Sequence, residues 1–238
     1  AKRNLVLDAS RSFDPAEIAG CLVFAAVLRP DLAFAASCLA SAVGCWAPKH
    51  DRAAARVLRY IKGTLHRRIV FRRNAPLGLA LWVDASFAHD IHSPTAPGRA
   101  QSRSGCVLFF LGAVLWFASR RQTATAMSTC EAELAALCLG VRSLIVVRAT
   151  VVFVFRVELP PTRVYEDNAA VTRIFKRRSV GGRMRHIRVN ISFTLDAIDA
   201  DQMTLEQTPT RDQIANALTH SEGKIRHDSS IKALFPIA

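Results

Sequence analysis

The sequence predicts an α/β fold in which a mixed sheet is flanked by helices and preceded by a small helical segment. Two observations carry this prediction. Apolar helical stretches fill the first part of the chain, whereas strand-like runs begin at Leu77. After an early hairpin, helices and strands alternate, which is typical of a sheet covered by helices. The 238 residues, of which 50% are hydrophobic and 21% charged, suffice for one full core plus a smaller appendage.

The helical segment is expected to span residues 1–75. Asp14 precedes Pro15, and Glu17 lies three residues after it, a combination that marks a helix start. Proline at position 30 breaks this helix. Three helices are predicted, over residues 14–29, 31–45 and 51–62, followed by a basic connector over 64–75.

The sheet domain is expected over residues 76–222, with a C-terminal tail over 223–238. The predicted strands are Leu77–Asp84, Gly105–Leu111, Val114–Ser119, Arg163–Asp167 and Met203–Gln207. Gly112-Ala113 is the expected hairpin turn, and residues 89–104 read as a loop. The predicted helices run from Ser128 to about Phe155, from the fourth strand to about Lys176, and onward from about Thr210. A mixed element is expected after Gly181-Gly182.

The charge of the chain indicates a polyanionic partner. The formal net charge is +13 and the pI is near 10.4. Basic residues cluster in RRIVFRR (67–73), SRRQ (119–122) and KRRSVGGRMRHIR (176–188). A single charge run is usually a solvated face, but three clusters on one basic chain favour contacts with phosphates.

Cysteine usage and hydropathy bear on the compartment. None of the six cysteines forms a C-x-x-C pair, and reduced thiols fit an intracellular location, either a cytoplasmic particle or the nucleus. No N-terminal signal peptide is visible. Arg148 and Arg156 interrupt the apolar run after Leu144, so we expect a buried helix and no membrane partner.

Three acidic residues lie at the edges of predicted elements. Asp84 ends the first strand, Asp167 ends the fourth, and Glu133 lies in the first turns of the long helix. Grouped carboxylates are costly to bury, and a hard divalent cation such as Mg²⁺ offsets that cost. The alternatives are local: a cap by Asp84 or Ser86, and a helix N-cap by Asp167.

Two glutamates compete for the position on the long helix. Ser128 and Glu131 form an S-x-x-E capping box, which gives Glu131 a structural role. At about 100° per residue, Glu131 and Glu133 point to opposite faces, and Glu133 aligns with Leu137. Strand alternation turns Glu166 to the other face from Asp167. We therefore expect Glu133 to face the sheet and Glu131 to act as the cap.

The chain resembles the C-terminal ribonuclease H region of copia-type LTR retrotransposon Pol polyproteins, together with the tail of the reverse transcriptase. The matching segments occur in the family's order. They are RPDLAFA (29–35), RVLRYIKGTL (56–65), WVDASFAHD (82–90), SRSGCVLFFLGAVLWFASRRQ (102–122), STCEAELAAL (128–137), YEDNAAV (165–171), RHI (185–187) and DQIANALT (212–219).

This resemblance implies a five-stranded ribonuclease H-like fold and a reverse-transcriptase tail or connection segment over residues 1–75. It implies that Asp84, Glu133 and Asp167 are catalytic ligands of two Mg²⁺ ions, with Mn²⁺ as an alternative. Asn216 stands where the family has a fourth acid, and Asp212 is a weaker substitute. The expected nucleic-acid contacts are Lys176, Arg183, Arg185 and His186.

The implied function is cleavage of the RNA strand of an RNA–DNA hybrid by two-metal hydrolysis, which leaves a 5′-phosphate and a 3′-hydroxyl. The reverse-transcriptase part of the same polyprotein is the implied protein partner. The alternative is a degenerate, non-catalytic remnant that binds nucleic acid. Asn216, and Arg188 where the family usually has Asp, fit that alternative.

Overall fold

The computed structural model describes residues 14–88, 101–178, 187–221 and 224–235. They contain a five-stranded mixed sheet in the order β3-β2-β1-β4-β5. The strands are β1 Leu79–Ser86, β2 Arg103–Phe110, β3 Ala113–Arg121, β4 Thr162–Glu166 and β5 Met203–Gln207. The first three strands pair antiparallel, and β4 runs parallel to both β1 and β5. The predicted mixed sheet with flanking helices is confirmed.

Two details of the first strands differ from the prediction. β1 begins at Leu79, and Leu77 is exposed. The strand continues to Ser86, so Asp84 lies inside it, opposite Gly105. The hairpin turn is Leu111-Gly112, not Gly112-Ala113. Both turn residues have positive φ, 50° and 73°, and Ala113 already pairs with Phe110. Such a turn matches the twist of the two strands it joins.

The five helices predicted up to residue 177 are all present, with bounds that differ from the predicted ones by up to four residues. The α-helices are α1 Pro15–Ala26, α2 Ala33–Ser41, α3 Pro48–Gly63, α4 Thr129–Phe155, α5 Ala169–Arg177, α6 Arg188–Asp199 and α7 Lys224–Leu234. Asp14 caps α1 and Ser128 caps α4, as predicted. The helix expected from Thr210 is wrong: two 3₁₀ turns stand there, Thr210–Asp212 and Ile214–Leu218.

The two faces of the sheet are covered by different parts of the chain. On one face, α4, α5 and α6 pack over a core that includes Leu81, Val83 and Leu108. On the other face, the 3₁₀ turn Ile214–Leu218 and α7 pack around Val107 and Val114. The helical segment joins this second face, where Nη1 of the fully buried Arg103 donates to Ser37 of α2 at 2.7 Å.

A small polar cluster ties the helical segment to the connector that follows it. The carboxylate of Asp31 accepts hydrogen bonds from Arg29 at 2.7 Å and from the hydroxyl of Tyr60 at 2.8 Å. Arg67 of the connector lies 3.5 Å from the same carboxylate. The start of α2, the end of α3 and the connector are therefore held together by one buried acid.

By length and composition, α4 is long and apolar enough to cross a membrane, with a third of its most apolar stretch (33%) buried. Its first half lies against β1 and β2. Its last turns expose apolar side chains, including Phe153 and Val154. The predicted buried helix therefore describes the first half of α4 but not its end.

Candidate metal centre

Three carboxylates from three different elements meet at one edge of the sheet. Asp84 comes from β1, Glu133 from the first turns of α4, and Asp167 directly follows β4. Each offers an oxygen, and these oxygens all lie within 4.8 Å of one another. Asp84 and Glu133 are buried, and Asp167 is half-buried. The structure thus brings together the three acids that the sequence singled out.

The capping of α4 decides which glutamate enters this cluster. The backbone N–H of Glu131 donates to Ser128 Oγ at 3.2 Å, and the Glu131 carboxylate accepts from the N–H of Met127 at 2.8 Å. Glu133 turns inward and is only 7% exposed. The division of roles between a capping Glu131 and an inward-facing Glu133 agrees with the prediction.

A glycine lets α4 approach the sheet closely enough to deliver Glu133. Gly140 lies two helical turns after Glu133 on the same face. A Cβ at this position would stand 2.6 Å from Val83 Cγ1 and 3.2 Å from Leu81 Cδ2, both on β1. Any side chain at Gly140 would push the helix away from β1, and with it Glu133 away from Asp84.

Asp84 is held by a hydroxyl from the far end of the chain. Thr219 Oγ1 donates to Asp84 Oδ2, and His220 Nδ1 lies 3.0 Å from the same hydroxyl. Gly105, the β2 partner of Asp84, makes room for this contact, because a Cβ there would lie 2.6 Å from Thr219 Cγ2. The second 3₁₀ turn therefore packs directly on β2 beside the cluster.

The carboxylate of Glu133 is in an environment that opposes its ionisation. Burial, followed by the charges of Glu166, Asp84 and Asp167, raises the pKa of Glu133 to about 11, although an N–H of Ala85 acts in the opposite direction. Its Oε2 has no hydrogen-bond partner among the described residues. An unpaired buried oxygen facing other carboxylates is the donor set that a divalent cation satisfies.

Glu166 adds a fourth acid next to this group. It is fully buried, its Oε1 accepts from the N–H of Asn168 at 3.0 Å, and its Oε2 has no hydrogen-bond partner in the described part of the chain. Burial is the main reason that its pKa is raised well above the usual range. Glu166 is not one of the three acids within 4.8 Å, but its charge acts on Glu133 more strongly than that of Asp84.

The local alternatives for these acids are not supported. The N-cap of α5 is Asn168, whose Oδ1 accepts from the N–H of Ala170 at 2.9 Å, so Asp167 is free of that role. Asp84 lies within a strand and caps no helix. Asp212 is exposed and lies 3.5 Å from the guanidinium of Arg211, which makes it a surface acid.

Asn216 is buried in the second 3₁₀ turn. Its Nδ2 donates to the carbonyl of Thr210 at 3.1 Å, and its backbone carbonyl accepts from the N–H of Thr219 at 3.1 Å. Thr219 in turn reaches Asp84. Asn216 therefore shapes the turn that supports the cluster, and its role as a metal ligand stays a prediction.

Comparison with known proteins gives the relationship of the chain. No known protein-family model matches the sequence. The Pol polyproteins of transposons RE1 and RE2 from Arabidopsis thaliana are 25% and 26% identical to it over 210 residues, which is 87% of the chain. The chain is a homologue of retrovirus-related transposon Pol polyproteins. It spans 14% of the length of those two relatives.

Two further similarities accompany this relationship to the Pol polyproteins. The secreted RxLR effector protein 161 of Plasmopara viticola is 33% identical over 111 residues, which is 47% of this chain and 74% of that protein. LC11-RNase H1, solved in complex with an RNA/DNA hybrid, superposes with a TM-score of 0.42 at 14% identity over 59% of this chain and 93% of that chain.

The sequence does not predict the residues that support the acids through contacts from distant parts of the chain. Gln213 is buried, and its Nε2 donates to the carbonyl of Val83 at 2.8 Å and lies 3.5 Å from that of Tyr165. It thus joins β1 to β4 next to Asp84. Gln213 and Thr219 act across more than a hundred positions of sequence, so local pattern carries no signal for either contact.

Of the four predicted nucleic-acid contacts, only Lys176 is among the described residues. Lys176 is exposed in the last turn of α5. Arg183, Arg185 and His186 fall outside the described residues. Their roles stay predictions.

Proposed function

We propose that this chain is the ribonuclease H region of a copia-type retrotransposon Pol polyprotein and cleaves the RNA strand of RNA–DNA hybrids with divalent cations. The observation that carries the proposal is the meeting of Asp84, Glu133 and Asp167 within 4.8 Å, where one oxygen of Glu133 has no hydrogen-bond partner among the described residues. Homology to transposon Pol polyproteins over 87% of the chain supports it.

The ligand atoms of the cluster suit a pair of Mg²⁺ or Mn²⁺ ions. Three carboxylates from separate parts of the fold supply hard oxygen donors. Because the cluster is largely buried, ionising these carboxylates is unfavourable unless a cation compensates their charge. When bound, such ions activate water and stabilise the leaving oxygen of a phosphodiester. Thr219 holds one oxygen of Asp84, and the cap at Ser128 fixes the direction of Glu133.

The substrate follows from charge and from the homology. A net charge of +13 favours a polyanion, and a hybrid is the polyanion that the ribonuclease H-like arrangement implies. Recognition of the hybrid would depend on backbone shape and the 2′-hydroxyl, not on base sequence. The reverse-transcriptase part of the same polyprotein is the proposed protein partner.

The test is a cleavage assay on end-labelled RNA–DNA hybrid, single-stranded RNA and DNA duplex, each with EDTA, Mg²⁺ or Mn²⁺. We expect cleavage of the RNA strand of the hybrid alone, only with a divalent cation, and none by Asp84→Asn. Binding of the hybrid without cleavage in either Mg²⁺ or Mn²⁺ would instead support the second candidate, a non-catalytic nucleic-acid-binding remnant. Asn216 in place of a fourth acid favours that candidate. Cleavage that persists in Asp84→Asn would contradict the proposed site.

A further inference from the structure

The third helix carries a basic face that the candidate metal centre does not use. In α3, Pro48–Gly63, the cations recur every three or four residues and are all exposed. They are Lys49, Arg52, Arg56, Arg59 and Lys62. At about 100° per residue they occupy one side of the helix. No carboxylate in the described part of the chain forms an ion pair with any of the five.

The opposite face of α3 is already occupied. Ala54 is fully buried, and Val57, Leu58 and Ile61 pack with it against the core formed by α1 and α2. A basic amphipathic helix that lies on a membrane needs its apolar face free to enter the lipid. Because that face is committed to the protein core, the exposed side can recognise a partner only by charge. A phosphate backbone fits that requirement.

The basic face also leads towards the candidate metal centre. Arg56 and His50 of α3 line a cleft of about 560 Å³ together with His220 and His227. His220 is the residue whose ring lies 3.0 Å from the hydroxyl of Thr219, and Thr219 donates to Asp84. The cleft is therefore lined both by Arg56 of the basic face and by the neighbour of the residue that holds Asp84.

We propose that the basic face of α3 binds the phosphate backbone of the hybrid beyond the cleavage site. That the polyanion is an RNA–DNA hybrid rests on the proposed function. From Lys49 to Lys62 the face extends about 20 Å, at 1.5 Å per residue. One strand of a duplex presents a phosphate about every 3.4 Å, so about six phosphates pass along this length. Five cations spread over the same length, about one every 5 Å, can therefore each contact a different phosphate.

The experiment measures binding of a fluorescently labelled RNA–DNA hybrid by anisotropy in EDTA, so that cleavage plays no part. The test variant is R52Q/R56Q/R59Q. The matched control R142Q/R156Q/R163Q removes the same number of exposed charges from α4, its C-terminal end and β4. R52K/R56K/R59K keeps the charges. Circular dichroism confirms that each variant is folded.

We expect the test variant to bind at least tenfold more weakly at about 0.1 M salt, and its log–log salt slope to shrink by about 2–3, as for three lost phosphate contacts. The matched control should lose less than about threefold, and the lysine variant should bind like the natural chain. Equal losses in the test and control variants would reduce the effect to net charge and overturn the proposal.

A second arm offers vesicles of mixed phosphatidylserine and phosphatidylcholine. Vesicle binding that depends on the three arginines, with hybrid binding unchanged, would also overturn the proposal. Because these measurements exclude divalent cations, they are separate from the cleavage test. A chain that binds hybrid through α3 but never cleaves it would refute the proposed function and leave this inference standing.

Discussion

Replacing Glu133 with Gln should stabilise the metal-free protein while it abolishes cleavage. Burial and the charges of Glu166 and Asp84 raise the pKa of Glu133 from 4.5 to about 11. A carboxyl whose pKa is higher in the folded state keeps its proton on folding. Its contribution to stability is therefore fully present below pH 4.5 and declines as pH rises from 4.5 towards 11.

The magnitude follows from that shift. Each pH unit within the window removes about 1.4 kcal/mol from the free energy of unfolding, so about 4 kcal/mol is lost by about pH 7.5 as an upper bound. Glutamine does not ionise and carries none of this penalty. We expect Glu133→Gln to gain about 2–4 kcal/mol in EDTA, which corresponds to roughly 4–16 °C in melting temperature for a chain of this size.

The assay is thermal unfolding of both proteins between about pH 5 and pH 9, in EDTA and in millimolar Mg²⁺ or Mn²⁺. The natural chain should lose stability with rising pH in EDTA and regain it with cation, because the cation neutralises the acids. Glu133→Gln should show a flatter pH dependence and little response to cation. Glu131→Gln is the control: loss of the cap should cost about 0.5–2 kcal/mol and leave cleavage in place.

Two results would refute this reasoning. The first is a lower melting temperature of Glu133→Gln in EDTA combined with an undiminished response to cation, since Glu133 would then be neither strained nor a ligand. The second is loss of cleavage in a stable Glu131→Gln variant, which would reverse the roles of the two glutamates.

Three further predictions concern the surroundings of the cluster and the charge of the chain. Asn216→Asp should lower the Mg²⁺ concentration for half-maximal cleavage. In EDTA it should lower the free energy of unfolding by about 1–3 kcal/mol, because the hydrogen bond to Thr210 is lost. Identical Mg²⁺ curves for the two proteins would place Asn216 outside the metal site. Gly105→Ala should lower the free energy of unfolding by about 1–3 kcal/mol, because the added Cβ collides with Thr219. The increase in melting temperature on adding cation should also become smaller. An unchanged melting curve would contradict this prediction. Hybrid affinity of the natural chain should fall steeply with salt, at about 0.9 log units per log unit of salt for each phosphate neutralised, and a flat salt response would rule out phosphate binding.

The parts of the site that sequence predicts are those set by local rules. The Ser128 cap starts α4, and helical periodicity then turns Glu133 inward and leaves Glu131 at the surface, as the structure shows. Local pattern likewise predicts that a strand ends near Asp167 and that a helix follows, and the structure has β4 ending at Glu166 and α5 beginning at Ala169. Both predictions depend on contacts within a few residues.

The parts that sequence did not predict depend on distant contacts. The sequence predicts a helix from Thr210, but Gln213 has an extended backbone, with φ −78° and ψ 100°, because its side chain reaches β1 and β4. That contact breaks the helix into 3₁₀ turns. The hydrogen bond from the Thr219 hydroxyl to Asp84 joins positions 135 residues apart, and no periodic pattern in the sequence predicts it.

Glu166 shows the limit of strand alternation as a guide. Alternation puts Glu166 and Asp167 on opposite faces of the strand. It does not show that Glu166 becomes buried and that its charge acts on Glu133. Burial is decided by which element packs above a strand. That information resides in tertiary structure and not in the strand itself.

The central claim is that Asp84, Glu133 and Asp167 form one divalent-cation site. It is tested most directly by titrating the metal-free protein with Mn²⁺ and following free Mn²⁺ by electron paramagnetic resonance, for the natural chain and for Asp84→Asn. We predict saturable binding by the natural chain, displaced by excess Mg²⁺, and a large loss of that binding in Asp84→Asn. Equal Mn²⁺ binding by the two proteins, or none by the natural chain, would contradict the claim.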